Sequence, residues 1–308
     1  MNPRNKRLLV VVNPNASRAE AALPQIADWF ATSSQAEFVV ARKKDELRRI
    51  LDAKGRNVDR IVIGGGDGTL SKALPALLDL NKPVATIPLG TANDFARTLA
   101  LPDDPLEAAK LALEGREHRI DVGLANGKPY LNVASVGVAS QVIKAQSKEM
   151  KQRWRVLAYA VSLIRAARNL QPFFVELDID DGPSWAAPVY QVSIGNGRHH
   201  GGGLTVAEDA AIDDGKLHLY VVYPGTFWQL VACLTHLRFG MMQPKLLDRH
   251  TATRLVLRTR HPRPVDTDGR HTTETPTTFT LLPRRLTVIV PAALPEDHRG
   301  LSAIAEPA

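Results

Sequence analysis

Ile61-Val62-Ile63-Gly64-Gly65-Gly66-Asp67-Gly68-Thr69-Leu70 runs a short apolar segment into four closely spaced glycines and then into a helical pattern. Glycine lacks a Cβ, so the backbone can turn tightly and bring its N–H groups against an anion, while the helix that follows favours negative charge at its N-terminus. The stretch reads as a strand, a phosphate-binding turn and a helix. It is not a Walker A loop, because no Gly-Lys-Ser/Thr follows, and it lacks the spacing of the dinucleotide-binding fingerprint. The plainer alternative is a tight turn with Asp67 as an N-cap.

A second turn follows the same logic. The strand candidate at 84–87 enters Pro88-Leu89-Gly90-Thr91-Ala92-Asn93-Asp94-Phe95-Ala96-Arg97. Thr91, Asn93 and Asp94 would then stand at the carboxyl end of a parallel strand, where open α/β sheets place ligands. Asp94 and Arg97, three apart, could pair across a helical turn; a capped helix with a surface ion pair is the alternative. Around these turns the first ~120 residues alternate β-branched runs with helical patterns, which predicts βα units and a mainly parallel, doubly wound sheet. Further strand candidates lie at 8–12, 38–41 and 60–63, and helix candidates at 20–29, 45–53, 70–80 and 105–113, the last after an Asp103/Asp104 cap.

After about Asn126 the texture changes. Strand runs at 130–136, 173–179, 189–194, 217–222, 255–257 and 286–290 are separated by Gly, Pro and Asp turns and predict an antiparallel β domain. A helix at 154–170 interrupts it, with Leu157, Val161, Ile164 and Ala167 on one stripe and Arg165 and Arg168 off it. The expected division is 1–125, 126–285 and a last segment, 286–308.

With 308 residues, 44% hydrophobic and 23% charged, the chain is globular rather than disordered or fibrous. One cysteine, Cys233, in an apolar helix pattern, excludes a disulfide framework and a Cys-based zinc site and points to a reducing compartment. The net charge of +7 is uneven. Residues 141–172 hold seven bases against one acid, residues 236–285 hold ten against four, and the remainder carries −5. Such stretches suit anionic lipid, phosphate or nucleic acid, or are a solvated helix face. No recognisable nucleic-acid module or interleaved aromatics accompany them, so nucleic acid is not the expected partner. Arg4, Lys6 and Arg7 precede an apolar run too short for a signal peptide. The most apolar helix candidate, 226–242, is interrupted by Gln229, His236 and Arg238, so membrane contact is expected to be peripheral.

Taken together, these motifs resemble the diacylglycerol kinase catalytic family, specifically its soluble bacterial lipid kinases, and more distantly NAD kinases and phosphofructokinases. The resemblance spans nearly the whole chain. It rests on Val12-Asn13-Pro14, the GGGDGT turn at Gly64–Thr69, GTANDFAR at Gly90–Arg97 and Ile120-Asp121-Val122-Gly123. Downstream it includes Gly195-Asn196-Gly197-Arg198, Gly201-Gly202-Gly203, Asp213-Asp214-Gly215-Lys216-Leu217 and Asp268-Gly269.

The resemblance implies an α/β nucleotide-binding domain, a β-sandwich domain, ATP between them, and a chain end that returns to the first domain. Gly64, Gly65, Gly66, Asp67, Gly68, Thr69, Thr91 and Asn93 would hold the nucleotide, with Asn13 and Arg18 on the same rim. Asp67, Asp94 and Asp121 would form an acidic network around the transferred phosphate and its magnesium, with Arg97 stabilising charge. Phosphoryl transfer depends on positioning and charge neutralisation, and magnesium, a hard cation, prefers carboxylates and phosphate oxygens. A structural magnesium would take the Asp214 side chain and the carbonyls of Ala211 and Lys216, although a plain Asp-Gly turn fits that loop equally well.

Two positions depart from the family pattern. Arg270 stands where a glutamate usually acts as general base, and a guanidinium cannot accept a proton. Asp268 or Asp266 would have to take over, or a different acceptor be used, or activity be low. Ala41 replaces a threonine that often contacts ATP, at a cost on the order of 1 kcal/mol. His271 is a further candidate base, whereas His199 and His200 lack a third ligand and read as loop histidines. The expectation is an ATP- and Mg2+-dependent kinase of a lipid hydroxyl, with diacylglycerol the default acceptor. Phosphatidylglycerol, a sphingoid base, a soluble polyol and a non-catalytic nucleotide-binding role are the alternatives. The expected setting is the bacterial cytoplasm, peripheral to the inner face of the membrane, with a homo-oligomer left open.

Overall fold

The computed structural model describes residues 6–43, 45–137, 171–197, 199–200, 204–205, 210–226, 229, 246–293 and 301. The helix candidate at 154–170, most of that at 226–242, Cys233, Arg198 and Gly201–Gly203 lie outside them.

Four parallel strands carry the first half: β1 (Arg7–Val12), β2 (Gln35–Val40), β3 (Arg60–Gly65) and β4 (Val84–Pro88), in the order β2-β1-β3-β4. β3 and β4 are buried throughout and β1 past its first residue, as expected of strands covered on both faces. On one face Leu8, Val10, Val12, Val62 and Ile87 pack with Ile26 and Phe30 of α1 (Ala19–Ser33) and with Ala108 and Ala112 of α5 (Pro105–Glu114). On the other, Leu9, Val11, Ile61 and Ile63 pack with Leu47 and Leu51 of α2 (Glu46–Lys54) and with Leu70 and Leu74 of α3 (Asp67–Leu80). The Asp104 side chain accepts N–H bonds from Leu106 and Glu107 at 2.9 Å, capping α5. The 2-1-3-4 order reverses direction between β1 and β3, so the crevice beyond their carboxyl ends is the place for a ligand.

The second half shares that sheet. The last strand, β18 (Thr277–Val290), pairs antiparallel with β5 (Arg116–Ala125), and its end meets β4 in parallel through Val288 and Val84. β15 (Arg254–Thr259) pairs with the first part of β18, and β8 (Phe173–Ile179) and β9 (Trp185–Val189) continue the sheet beyond it. One ten-stranded sheet thus crosses residue 125, and β18 runs through residue 285 with a bulge at 282–286. An antiparallel six-stranded sheet packs against its far part. Its order is β14 (Leu247–Ala252), β13 (Leu217–Val222), β10 (Gln191–Gly195), β7 (Val133–Gly137), β16 (Pro264–Thr267) and β17 (Arg270–Glu274). Val136, Val192, Leu219 and Val265 meet Val175, Leu177, Leu257 and Phe279 in the core between the two sheets. This is the α/β domain followed by a β-sandwich that the sequence predicts.

Several boundaries differ from the sequence reading. The candidate at 130–136 is two strands, β6 (Lys128–Tyr130) and β7, because the N–H groups of Leu131, Asn132 and Val133 turn onto the Asp268 carboxylate. The candidate at 189–194 divides likewise into β9 and β10. β5 escapes the hydrophobic pattern because its first residues, Arg-Glu-His-Arg, are charged and only Ile120 onward is a buried run.

Arg60, 1% exposed, opens β3 and donates to the carbonyls of Ala112 and Leu113, capping the C-terminal end of α5 with a buried cation. Arg60→Met keeps the stem's packing and removes those donors. The expected loss is about 2–3 kcal/mol, read as a melting temperature lower by roughly 4–10 °C.

Candidate functional site

The two glycine-led turns meet backbone to backbone. A Cβ on Gly66 would stand 2.9 Å from the Gly90 Cα, and one on Gly90 2.6 Å from the Gly66 Cα, so any side chain at either would push the turns apart. Asn93, in the left-handed region at φ 51°, locks the second turn by accepting the Gly90 N–H (2.9 Å) and donating to the Gly90 carbonyl (3.0 Å). Gly64 and Gly65 are tight for a local reason, since a Cβ would meet Val12 and Thr69 respectively. Gly68 differs: it is exposed, and a Cβ there would meet nothing within 4 Å. Packing does not require that glycine, and the open space lies at the N-terminal turn of α3, where an anion is favoured.

Asn13, just past β1, donates to the Thr69 hydroxyl (3.0 Å) and accepts the Asn15 N–H, which fixes the β1 turn against α3. Thr91 is exposed and its hydroxyl donates to Ser17 at 3.2 Å. The Arg18 guanidinium donates to the Asp103 carbonyl and its N–H to Leu89, so Arg18 ties the rim together. Ala41 is buried at the end of β2 beside this rim, its N–H on the Val12 carbonyl.

Asp67 is not the N-cap of its own helix; Gly66 holds that position. Its carboxylate instead accepts the N–H groups of Asp94 (3.1 Å) and Phe95 (3.0 Å), capping the short α4 (Asp94–Thr98) of the second turn. Burial pushes the Asp67 carboxyl above the ordinary range; those two N–H bonds oppose the shift and the neighbouring Asp94 charge adds to it. Asp94 is buried whereas Arg97 is exposed. The α4 helix also adjoins β11 (His199–His200), bringing the end of β10 to the same cleft.

Asp268 arrives from the sandwich. It occupies the turn between β16 and β17 with φ 47°, followed by Gly269 at φ 75°, the left-handed pair of a tight hairpin. Its Oδ2 accepts the Leu131 N–H (3.0 Å) and its Oδ1 those of Asn132 (2.9 Å) and Val133 (3.2 Å). Burial pushes its carboxyl up to about 6 against those three bonds, and the Asp67 charge contributes in the same direction. Asp67, Asp94 and Asp268 therefore share one electrostatic neighbourhood. Arg270 is exposed at the start of β17, and His271 is exposed with Nδ1 3.6 Å from the buried Asp266.

Asp121 is placed differently from the expected network. Its carboxylate accepts the N–H groups of Gly215 and Arg284, both at 2.7 Å, and its acidic neighbours are Asp214 and Asp213. From β5 it holds the 210–216 loop, where Ala211, Asp214 and Lys216 lie. Sequence reasoning overlooked Asn196 as a link. Only 1% exposed, it donates to the carbonyls of Asp121 (2.9 Å) and Leu131 (3.1 Å), and its N–H donates to Asn132. The Gly195-Asn196-Gly197 motif flags the position but not its partners.

Among the described residues no group of three His, Cys, Asp or Glu side chains stands close enough to hold a metal, and no helix is long and apolar enough to cross a membrane.

A parallel sheet bearing two interlocked glycine turns, with a β-sandwich supplying a carboxylate to the same cleft, is the architecture of a kinase-type α/β and β-sandwich protein. Residues 7–125 match the diacylglycerol kinase catalytic domain and residues 132–290 the YegS C-terminal NAD kinase beta sandwich-like domain; the chain belongs to this YegS and diacylglycerol kinase family. A protein of Chromohalobacter salexigens named "Probable lipid kinase YegS-like" is 36% identical over 182 residues, 58% of each chain. A Klebsiella pneumoniae protein of the same name is 33% identical over 186 residues, 59% of this chain and 62% of its own. The chain thus spans about three fifths of the length of these relatives. A solved structure from Bacillus anthracis, named a "putative diacylglycerol kinase", is 27% identical and superposes with a TM-score of 0.80 over 94% of this chain and 96% of that one.

Proposed function

We propose that this chain transfers the γ-phosphoryl group of ATP to a hydroxyl of a membrane lipid, with diacylglycerol the first acceptor to test. One observation carries the reading: Asp67 stands at the open glycine turn, holds the start of α4, and shares its electrostatic neighbourhood with Asp268 of the sandwich. The turn at Gly64–Thr69, the helix start at Gly68 and the Thr91 hydroxyl supply donors and space for the phosphates. Asp67, Asp94 and Asp268 fit a magnesium brought in with the phosphates, which would supply charge neutralisation there; among themselves they form no ready metal cage.

In the transfer, the acceptor O–H breaks as its oxygen bonds the γ-phosphorus, the bond from that phosphorus to the bridging oxygen breaks, and ADP leaves. Asp268 is the group suited to take the proton, because its carboxyl is pushed up to about 6 and is ionised yet basic at neutral pH. Asp266, buried and 3.6 Å from His271 Nδ1, is the other candidate. Arg270 favours a second reading, a nucleotide-binding protein without turnover, which would bind ATP yet transfer nothing to any acceptor.

The membrane is the proposed partner, reached from the cytoplasmic side by electrostatic attraction. Exposed Arg254, Arg260 and Arg270 belong to the 236–285 basic stretch, and each base near an anionic surface contributes about 1 kcal/mol. Binding to vesicles of phosphatidylglycerol and phosphatidylcholine is expected to weaken at least about tenfold between low and high salt. Binding indifferent to salt would contradict this docking. The transfer itself is tested by following labelled phosphate from ATP into extracted lipid.

A further inference from the structure

The 210–216 loop is where a structural cation would sit if the family resemblance carried over, on the Asp214 side chain and the carbonyls of Ala211 and Lys216. The Asp214 carboxylate already has protein partners. Asp214 Oδ2 accepts the Ala211 N–H (3.2 Å) and stands 2.7 Å from His218 Nε2, while Oδ1 accepts the Lys216 N–H (2.9 Å). The next carboxylate, Asp213, has its Oδ2 2.8 Å from His118 Nε2 on β5. Asp121 completes the cluster from β5, its two oxygens taken by the N–H groups of Gly215 and Arg284. His218 is 5% exposed and Asp213 8%, so these are interior fastenings rather than surface pairs.

A hard dication is bound by oxygens whose lone pairs are free to face it. Here both Asp214 oxygens receive hydrogen-bond donors from within the loop and from a strand residue four positions on. Three donors already hold this carboxylate, so the loop has protein fastenings that need no metal.

We infer that in this chain the 210–216 loop is fastened by His218 on Asp214 and His118 on Asp213 in place of a divalent cation. The loop is tied to the cleft. Asp121 holds Gly215, Asn196 holds the carbonyls of Asp121 and Leu131, and Asp268 grips the Leu131–Val133 corner. The two histidines are positioning residues for that chain of bonds. This inference concerns the fold of the loop and does not depend on the lipid-kinase reading.

The test uses the full chain without nucleotide, melted in EDTA and again in excess MgCl2 or CaCl2. The wild type is expected to melt within about 1 °C in all three. His218→Ala is expected to melt lower by roughly 3–6 °C in EDTA, and His218→Gln, whose amide keeps an N–H near Asp214, to regain most of that loss. A wild-type melting point that climbs several degrees with either cation, and stops doing so in Asp214→Ala, would overturn the inference. So would a His218→Ala variant that melts like the wild type.

Discussion

Asp67→Ala is expected to lower phosphoryl transfer by at least about 1000-fold, the scale of a lost electrostatic anchor combined with lost positioning. The carboxylate makes two contributions that different substitutions separate. It accepts the N–H groups of Asp94 and Phe95, so alanine leaves two part-buried donors without their acceptor, at about 1–3 kcal/mol each. It also places negative charge beside Asp94 and Asp268, where a cation accompanying the nucleotide is needed. Asp67→Asn keeps an acceptor for one of the N–H groups and removes the charge. It is expected to melt a few degrees below the wild type, less than alanine does, and still lose about 100-fold or more in turnover. An Asn variant with wild-type turnover would mean that Asp67 serves only as the cap of α4.

Asp268→Asn is expected to cost about 100- to 1000-fold in kcat/KM, the usual worth of a general base. The pH profile carries the sharper signature. Burial raises the Asp268 carboxyl to about 6, so wild-type kcat/KM should fall as the pH drops through that value and the base becomes protonated. The Asn variant should show no such acid limb. The stability effect has the opposite sense. A carboxyl whose folded-state value lies above the ordinary range holds its proton more tightly when folded, so the stability it adds at low pH is lost as the pH rises toward about 6. At neutral pH asparagine removes a buried charge but turns its NH2 toward at least one of the N–H groups that Asp268 serves, so the melting point should fall by a few degrees, less than in Asp268→Ala. If Asp266→Asn and Asp268→Asn lose turnover equally, or if neither does, the assignment of Asp268 as base has no support.

What the sequence made legible was local. The GGGDGT and GTANDFAR stretches announce turns because glycine and asparagine tolerate the tight and left-handed backbone that other residues resist, and the Asp104 cap of α5 lies within three residues of the N–H groups it serves. What escaped depends on pairing across long separations. A cap on its own helix is the plainer alternative for Asp67, yet its partners lie 27 and 28 positions on. Asp121 reads as one more active-site acid, whereas Gly215 and Arg284, 94 and 163 positions away, claim its oxygens. The break between β6 and β7 cannot be inferred from Tyr130–Val136 itself, since a carboxylate from the β16–β17 turn imposes it. Arg270 replaces the expected acid in sequence and is solvent-exposed in the fold.

The most direct measurement follows labelled phosphate from ATP, with magnesium, into micelles of diacylglycerol, phosphatidylglycerol, a sphingoid base or no lipid, with Asp67→Ala run beside the wild type. The predicted result is label in one lipid, dependent on that lipid and absent from the variant. ATP that binds without labelling any of these acceptors, or label that persists at the wild-type rate in Asp67→Ala, would contradict the account.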